Sequence, residues 1–83
     1  MKAFWYNEER KNVCGIRIRE LRKQQHLTQK QLAIKAHQLA AYDFITETAI
    51  IKLELGTRFI PDYEVSIFAE LLQTSTDDLL QNL

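Results

Sequence analysis

Residues 28–56 constrain this chain more than any other stretch, because they place two helix starts and a closing glycine on one short apolar framework. At the first start the Thr28 hydroxyl can accept the Gln31 amide while the Gln31 side chain reaches back, the reciprocal arrangement of a capping box. Leu32, Ala36, Leu39 and Ala40 follow at the spacing of one helical face, which must be buried. Thr46 has the side chain for the second cap, and the helix it opens turns Ile45, Ile50 and Leu53 inward. Gly56 then supplies a left-handed residue at no steric cost. Glu47, Thr48, Ile51 and Lys52 fall on the opposite side of that second helix, with no core to join.

The flanking segments read as further helices. Asn12 is a candidate N-cap for a helix running to about residue 25, with Cys14, Ile18 and Leu21 inward, Ile16 at the edge, and Arg17, Arg19, Arg22 and Lys23 on the flanks. Leu27 precedes the Thr28 cap, where it can staple the two helices. Pro61 and Asp62 open a fourth helix with Val65, Phe68, Ala69 and Leu72 as its core stripe and Ile67 and Leu71 off it. Ser75 with Asp78 caps a last helix carrying Leu79, Leu80 and Leu83. The expected fold is a compact all-α five-helix bundle over residues 12–83, preceded by an aromatic and charged arm over residues 1–11. Phe4, Trp5, Ile67, Leu71, Leu80 and Leu83 present more apolar surface than a small monomer leaves wet, so they form the candidate dimer or partner interface. For Leu80, simple core packing is the alternative.

At 83 residues there is room for one domain, burying about 60–65% of the surface its unfolded chain exposes. Only two glycines and one proline, with 46% hydrophobic residues, favour an ordered helical globule over disorder. No apolar run can span a bilayer and no secretory signal opens the chain, so a cytoplasmic location is expected, with no membrane partner. Cys14 is the single cysteine, which rules out an intrachain disulfide, and its spacing to His26 and His37 fits no zinc pattern. We therefore expect no metal and no cofactor. No acid pair or histidine-centred triad is placed for catalysis, so the chain is not expected to be an enzyme. Net charge is zero, but residues 1–37 hold nine Lys or Arg against three acids, and residues 38–83 hold two against eight. Such polarity suits a molecule with one face on a polyanion.

Several separated stretches carry a family resemblance: Ile18-Arg19-Glu20-Leu21-Arg22-Lys23, Leu27-Thr28-Gln29-Lys30-Gln31-Leu32-Ala33, Thr48-Ala49-Ile50-Ile51-Lys52-Leu53-Glu54-Leu55-Gly56-Thr57-Arg58, and Phe68-Ala69-Glu70-Leu71-Leu72 with Ser75-Thr76-Asp77-Asp78-Leu79-Leu80. In this order they resemble the phage-repressor type of helix-turn-helix protein (Cro/cI, or XRE, family) over about residues 13–80. The resemblance implies a lambda-repressor-like bundle whose third helix, about residues 46–55, lies in the major groove. It makes Gln29, Glu47, Thr48, Ile51 and Lys52 candidate base contacts, and Thr28, Lys30, Thr46 and Arg58 candidate phosphate contacts. It also implies an architectural ion pair between Arg22 and Glu54. The chemistry is compatible: Lys52 can donate to guanine, Glu47 can accept from cytosine, and Thr48 or Ile51 can pack on a thymine methyl. Two features depart from the pattern. About seven extra residues lie between Ala33 and Ile45, read as a lengthened second helix and a wider loop, and net positive charge is absent.

The leading expectation is a sequence-specific, double-stranded DNA-binding transcriptional regulator acting as a homodimer on a two-fold operator. The alternative is a protein-interaction module on the same scaffold, antitoxin-like or a co-regulator, using the aromatic arm and the exposed C-terminal aliphatics.

Overall fold

Four of the helix starts read above are realised by a side chain closing on a backbone amide, while the helix after Pro61 opens without one. The structure, a computed structural model, describes residues 9–40 and 44–81, apart from the Ala40 side chain. Among them are five helices and no strand: α1 (Gly15–Gln24), α2 (Gln29–Ala40), α3 (Glu47–Leu55), α4 (Asp62–Leu71) and α5 (Thr76–Leu79). No helix among the described residues is long and apolar enough to cross a membrane. Before α2, the Gln31 amide donates to Thr28 Oγ1 at 3.0 Å and the Thr28 amide donates to Gln31 Oε1 at 2.8 Å, completing the box. Thr46 Oγ1 accepts from the Ala49 amide at 3.1 Å, and Ser75 Oγ accepts from the Asp78 amide at 3.0 Å. Helix α2 continues through Ala40, so part of the extra length in this region is helical; residues 41–43 lie outside the described set.

Among the described residues, three helices end on a left-handed residue, and one of the three is a glycine. Gly56 has φ 81°, whereas His26 has φ 58° and Gln73 φ 56°. In each case the next amide bonds back five residues: Leu27 to Arg22 O at 3.0 Å, Thr57 to Lys52 O at 3.0 Å, and Thr74 to Ala69 O at 2.9 Å. A side chain with a Cβ is strained there. His26→Gly is therefore expected to raise stability by about 0.5–1 kcal/mol, read as a higher urea midpoint at unchanged slope.

The core is assembled from the inward stripes, with Phe68, Ile18, Leu32, Ile50, Leu53, Leu71, Leu72, Leu79 and Cys14 fully buried. Burial pushes the Cys14 thiol up to about 11, so it stays protonated at neutral pH. Two expectations on α4 are corrected. Ile67 and Leu71 are core residues, 9% and 0% exposed, and offer no surface patch. Helix α4 packs against α2 on one side and α5 on another, so it buries more than half its circumference and the single-stripe reading of it was too narrow. Leu80 packs against the core while half-buried, as in the alternative reading for that residue, and Leu39, expected inside, is about half exposed. Phe4, Trp5 and Leu83 lie outside the described residues.

Polar ties join the helices where apolar contact ends. Gln25 Nε2 donates to Leu72 O at 2.8 Å, linking the ends of α1 and α4. Arg17 Nε donates to both carboxylate oxygens of Asp78, at 3.1 and 3.2 Å, joining α1 to α5. Hydrogen bonds from Thr74 and then Arg17 hold the Asp78 carboxyl below its ordinary 3.8. A depressed folded-state value means this contribution is complete above the unfolded pKa and is lost as pH falls through the folded one. Stability should thus decline below about pH 4, and Asp78→Asn should remove that part of the decline in acid titrations of unfolding.

Candidate functional site

Helix α3 is fixed at both ends and along one side before it presents anything to solvent. Its buried flank carries Glu54, whose side chain is 3% exposed and receives two bonds from Arg22, Nε to Oε2 at 2.7 Å and Nη2 to Oε1 at 2.9 Å. The remaining terminal nitrogen of Arg22 donates to Leu27 O at 2.8 Å, so the fork also holds the α1–α2 connection. Hydrogen bonding to Glu54 raises the Arg22 pKa against the opposing effect of burial. Gln29 Nε2 donates to Glu54 Oε1 at 3.1 Å, bringing the first turn of α2 onto the same carboxylate. One acid therefore ties α1, α2 and α3 together.

The C-terminal end of α3 is held by residues that precede α1. Arg10 donates from Nη2 to Leu53 O at 3.3 Å and Glu54 O at 3.2 Å, and Asn12 Nδ2 donates to Leu53 O at 3.0 Å and Arg58 O at 2.9 Å. Lys11 N bonds Gly56 O at 2.7 Å. These bonds satisfy carbonyls that the helix end leaves open. Asn12 Oδ1 accepts from the Gly15 amide at 2.8 Å, but α1 starts at Gly15 with Cys14 in the cap position, two residues later than expected, and Asn12 is a buried cross-link between helices. Arg10 and Lys11 belong with the body of the molecule, not with a separate arm.

What α3 leaves outside is Glu47, Thr48 and Lys52, with Leu55 at its last position, all exposed, and Ile51 half-buried between the polar residues and the core. The side chains of Glu47 and Lys52 make no ion pair with any described residue. Beside them runs an open groove of about 550 Å³ between the Thr48–Lys52 stripe and the α3–α4 connection, which contributes Thr57, Arg58 and Phe59. Phe44 and Thr46 complete its lining at the start of α3. The connection returns to that same end, since Tyr63 meets Phe44 edge-on with ring centroids 6.4 Å apart. Comparison with family models, curated proteins and solved structures finds no match.

The structure sorts the candidate residues into two sets. Thr48, Lys52 and Glu47 share one wet surface, and Lys30 is exposed in the first turn of α2. Thr28 and Thr46 are exposed too, each with its hydroxyl oxygen accepting a cap bond and its proton left to donate. Two others are committed elsewhere. Arg58 forks onto Glu64, Nη1 to Oε1 at 2.7 Å and Nη2 to Oε2 at 3.1 Å, and this bonding raises its pKa. Glu64 is buried at the first turn of α4, so Arg58 neutralises an interior acid and is not presented to a phosphate. Gln29 gives its amide hydrogen to Glu54 and acts first as a strut. Among the described residues, no group of three or more His, Cys, Asp or Glu is placed to hold a metal ion. The sequence reading did not single out Phe59 and Tyr63, which are 50% and 59% exposed, because a lone aromatic carries no periodic signal.

Proposed function

We propose that this chain is a sequence-specific double-stranded DNA-binding regulator of the phage-repressor helix-turn-helix type, working in the cytoplasm as a dimer, with α2 and α3 as the binding unit. The observation that supports this most is the contrast across α3. Its inner side is locked by Glu54, Arg22 and Gln29, while Thr48, Lys52 and Glu47 stand unencumbered on the outer side. A rigid rod with short polar side chains and one unpaired cation fits the major groove, where orientation must be fixed before base edges can be told apart. In this reading Lys52 donates to a guanine, Thr48 and Glu47 meet neighbouring edges, and Ile51 lies against a thymine methyl. The first turn of α2, with Thr28 and Lys30, rests on the phosphate backbone. Gln29 positions α2 against α3.

The test is a gel-shift series on duplexes selected from a random pool, repeated across salt concentrations. Lys52→Ala should weaken binding by about 5- to 150-fold per subunit, the range of one lost base contact, and relax preference at one position. Lys30→Ala should instead weaken all duplexes alike and flatten the salt slope by about 0.9. Binding unchanged in both variants would remove the proposal.

The exposed aromatics Phe44, Phe59 and Tyr63 favour a second reading, a protein-interaction module on the same scaffold. Retention of a protein partner by a Lys52→Ala variant that has lost nothing on DNA would support it.

A further inference from the structure

The groove beside α3 carries side chains that a purely polar reading surface does not need. Phe44 and Phe59 line it and are 46% and 50% exposed, although burying a phenyl ring is among the largest gains open to a small domain. Among the described residues that line it, Lys52 is exposed with no ion pair, Arg58 is neutralised by Glu64, and none is acidic. The hydroxyls of Thr48 and Thr57 add donors, although Thr57 Oγ1 already meets Lys52 O at 3.3 Å. A ligand suited to this groove is therefore electron-rich where it meets Lys52 and apolar where it meets the rings.

We infer that Phe44 and Phe59 form an apolar clamp for the 5-methyl group of thymine, so that the strand facing this groove is read for thymine by contact and not only by hydrogen bonding. The inference rests on the DNA-binding reading above and assigns a base to a part of the site outside α3. Charge complementarity commits the occupant to a DNA strand, since Lys52, placed above on a guanine edge, is the exposed cation of a lining that holds no acid. The thymine methyl is the apolar group that a base edge offers in the major groove, and phenyl rings are among the side chains that pack on it. Because the clamp comes from segments flanking α3, it acts on the strand beside the one whose edges Thr48 and Lys52 meet or on bases next to theirs.

The experiment uses one enriched duplex pool, selected from random sequence on the full chain and copied with either dTTP or dUTP. Deoxyuridine keeps every hydrogen bond and every charge of thymine and lacks only the methyl. The unaltered protein should bind the uridine copy about fourfold more weakly for each methyl buried. A Phe44→Ala/Phe59→Ala variant should keep only the penalty of the methyl placed against Ile51, so its preference for the thymine copy should be about fourfold smaller than the unaltered protein's for each methyl the clamp buries. Equal binding of the two copies by the unaltered protein overturns the clamp, and so does a uridine penalty of undiminished size in the variant, which would assign every buried methyl to Ile51 or Thr48. Failure of any duplex to bind overturns the clamp together with the DNA-binding reading, and is distinguished from the other outcomes because the first selection then enriches nothing. The thymine-to-uridine comparison on the unaltered protein holds whether or not the double variant folds.

Discussion

Arg22→Ala is expected to destabilise the fold by about 3–5 kcal/mol, the largest effect of any single change outside the apolar core. The loss comes less from the missing bond than from what it leaves behind. Glu54 would remain 3% exposed in the interior with only the Gln29 amide as partner, and Leu27 O would lose its donor. A domain of this size has total stability toward the low end of roughly 5–15 kcal/mol, so the variant should be partly unfolded at room temperature. Urea unfolding followed by circular dichroism measures this directly. The paired replacement Arg22→Met/Glu54→Leu removes both charges and should recover most of the loss, since a buried ion pair is often no more stable than an apolar pair of similar volume. Under the DNA-binding proposal, recovery of stability without recovery of binding would show that the pair's role is to orient α2 and α3, because Gln29 loses its acceptor in that variant.

Gly15→Ala should lower stability by about 3 kcal/mol, against the usual direction of that substitution in a helix, where alanine is favoured by about 1 kcal/mol. A Cβ at this position would sit 2.1 Å from Leu53 O and 2.7 Å from both Arg10 Nη2 and Asn12 Oδ1. Backbone is the nearest obstacle, so the start of α1 would have to retreat from the end of α3. The bonds from Asn12 and Arg10 to the α3 carbonyls would be stretched in consequence. With about 4–8 °C per kcal/mol for a domain of this length, the thermal midpoint should fall on the order of 15 °C. A midpoint that rises, as propensity alone predicts, would show that the close approach is not maintained in solution.

Much of the fold was legible where the signal is local. Thr28 with Gln31, Thr46, Gly56 and Ser75 mark their helix ends because a short polar side chain or a missing Cβ meets a backbone need within three residues. The ends at His26 and Gln73 were not legible, since neither is a residue type that announces positive φ. The Arg22–Glu54 pair followed from the resemblance, and the structure places the two side chains in contact. Ile67 and Leu71 were misplaced because a helical wheel assigns one buried face, and α4 has two neighbours. At the candidate site the outward set on α3 followed from periodicity alone. Arg58 did not: its partner Glu64 lies across a proline-containing turn, where no spacing rule applies. Arg10 was equally hidden, because its acceptors are main-chain carbonyls more than forty residues away and a carbonyl has no letter in the sequence.

The bond from Lys11 N to Gly56 O, with Arg10 beside it, fixes where the chain enters the body of the molecule: next to the closing turn of α3. A fluorophore attached at residue 10 or 11 would consequently sit against the end of the helix under test. Labels for binding measurements are better kept away from residues 10 and 11 and the turn they hold.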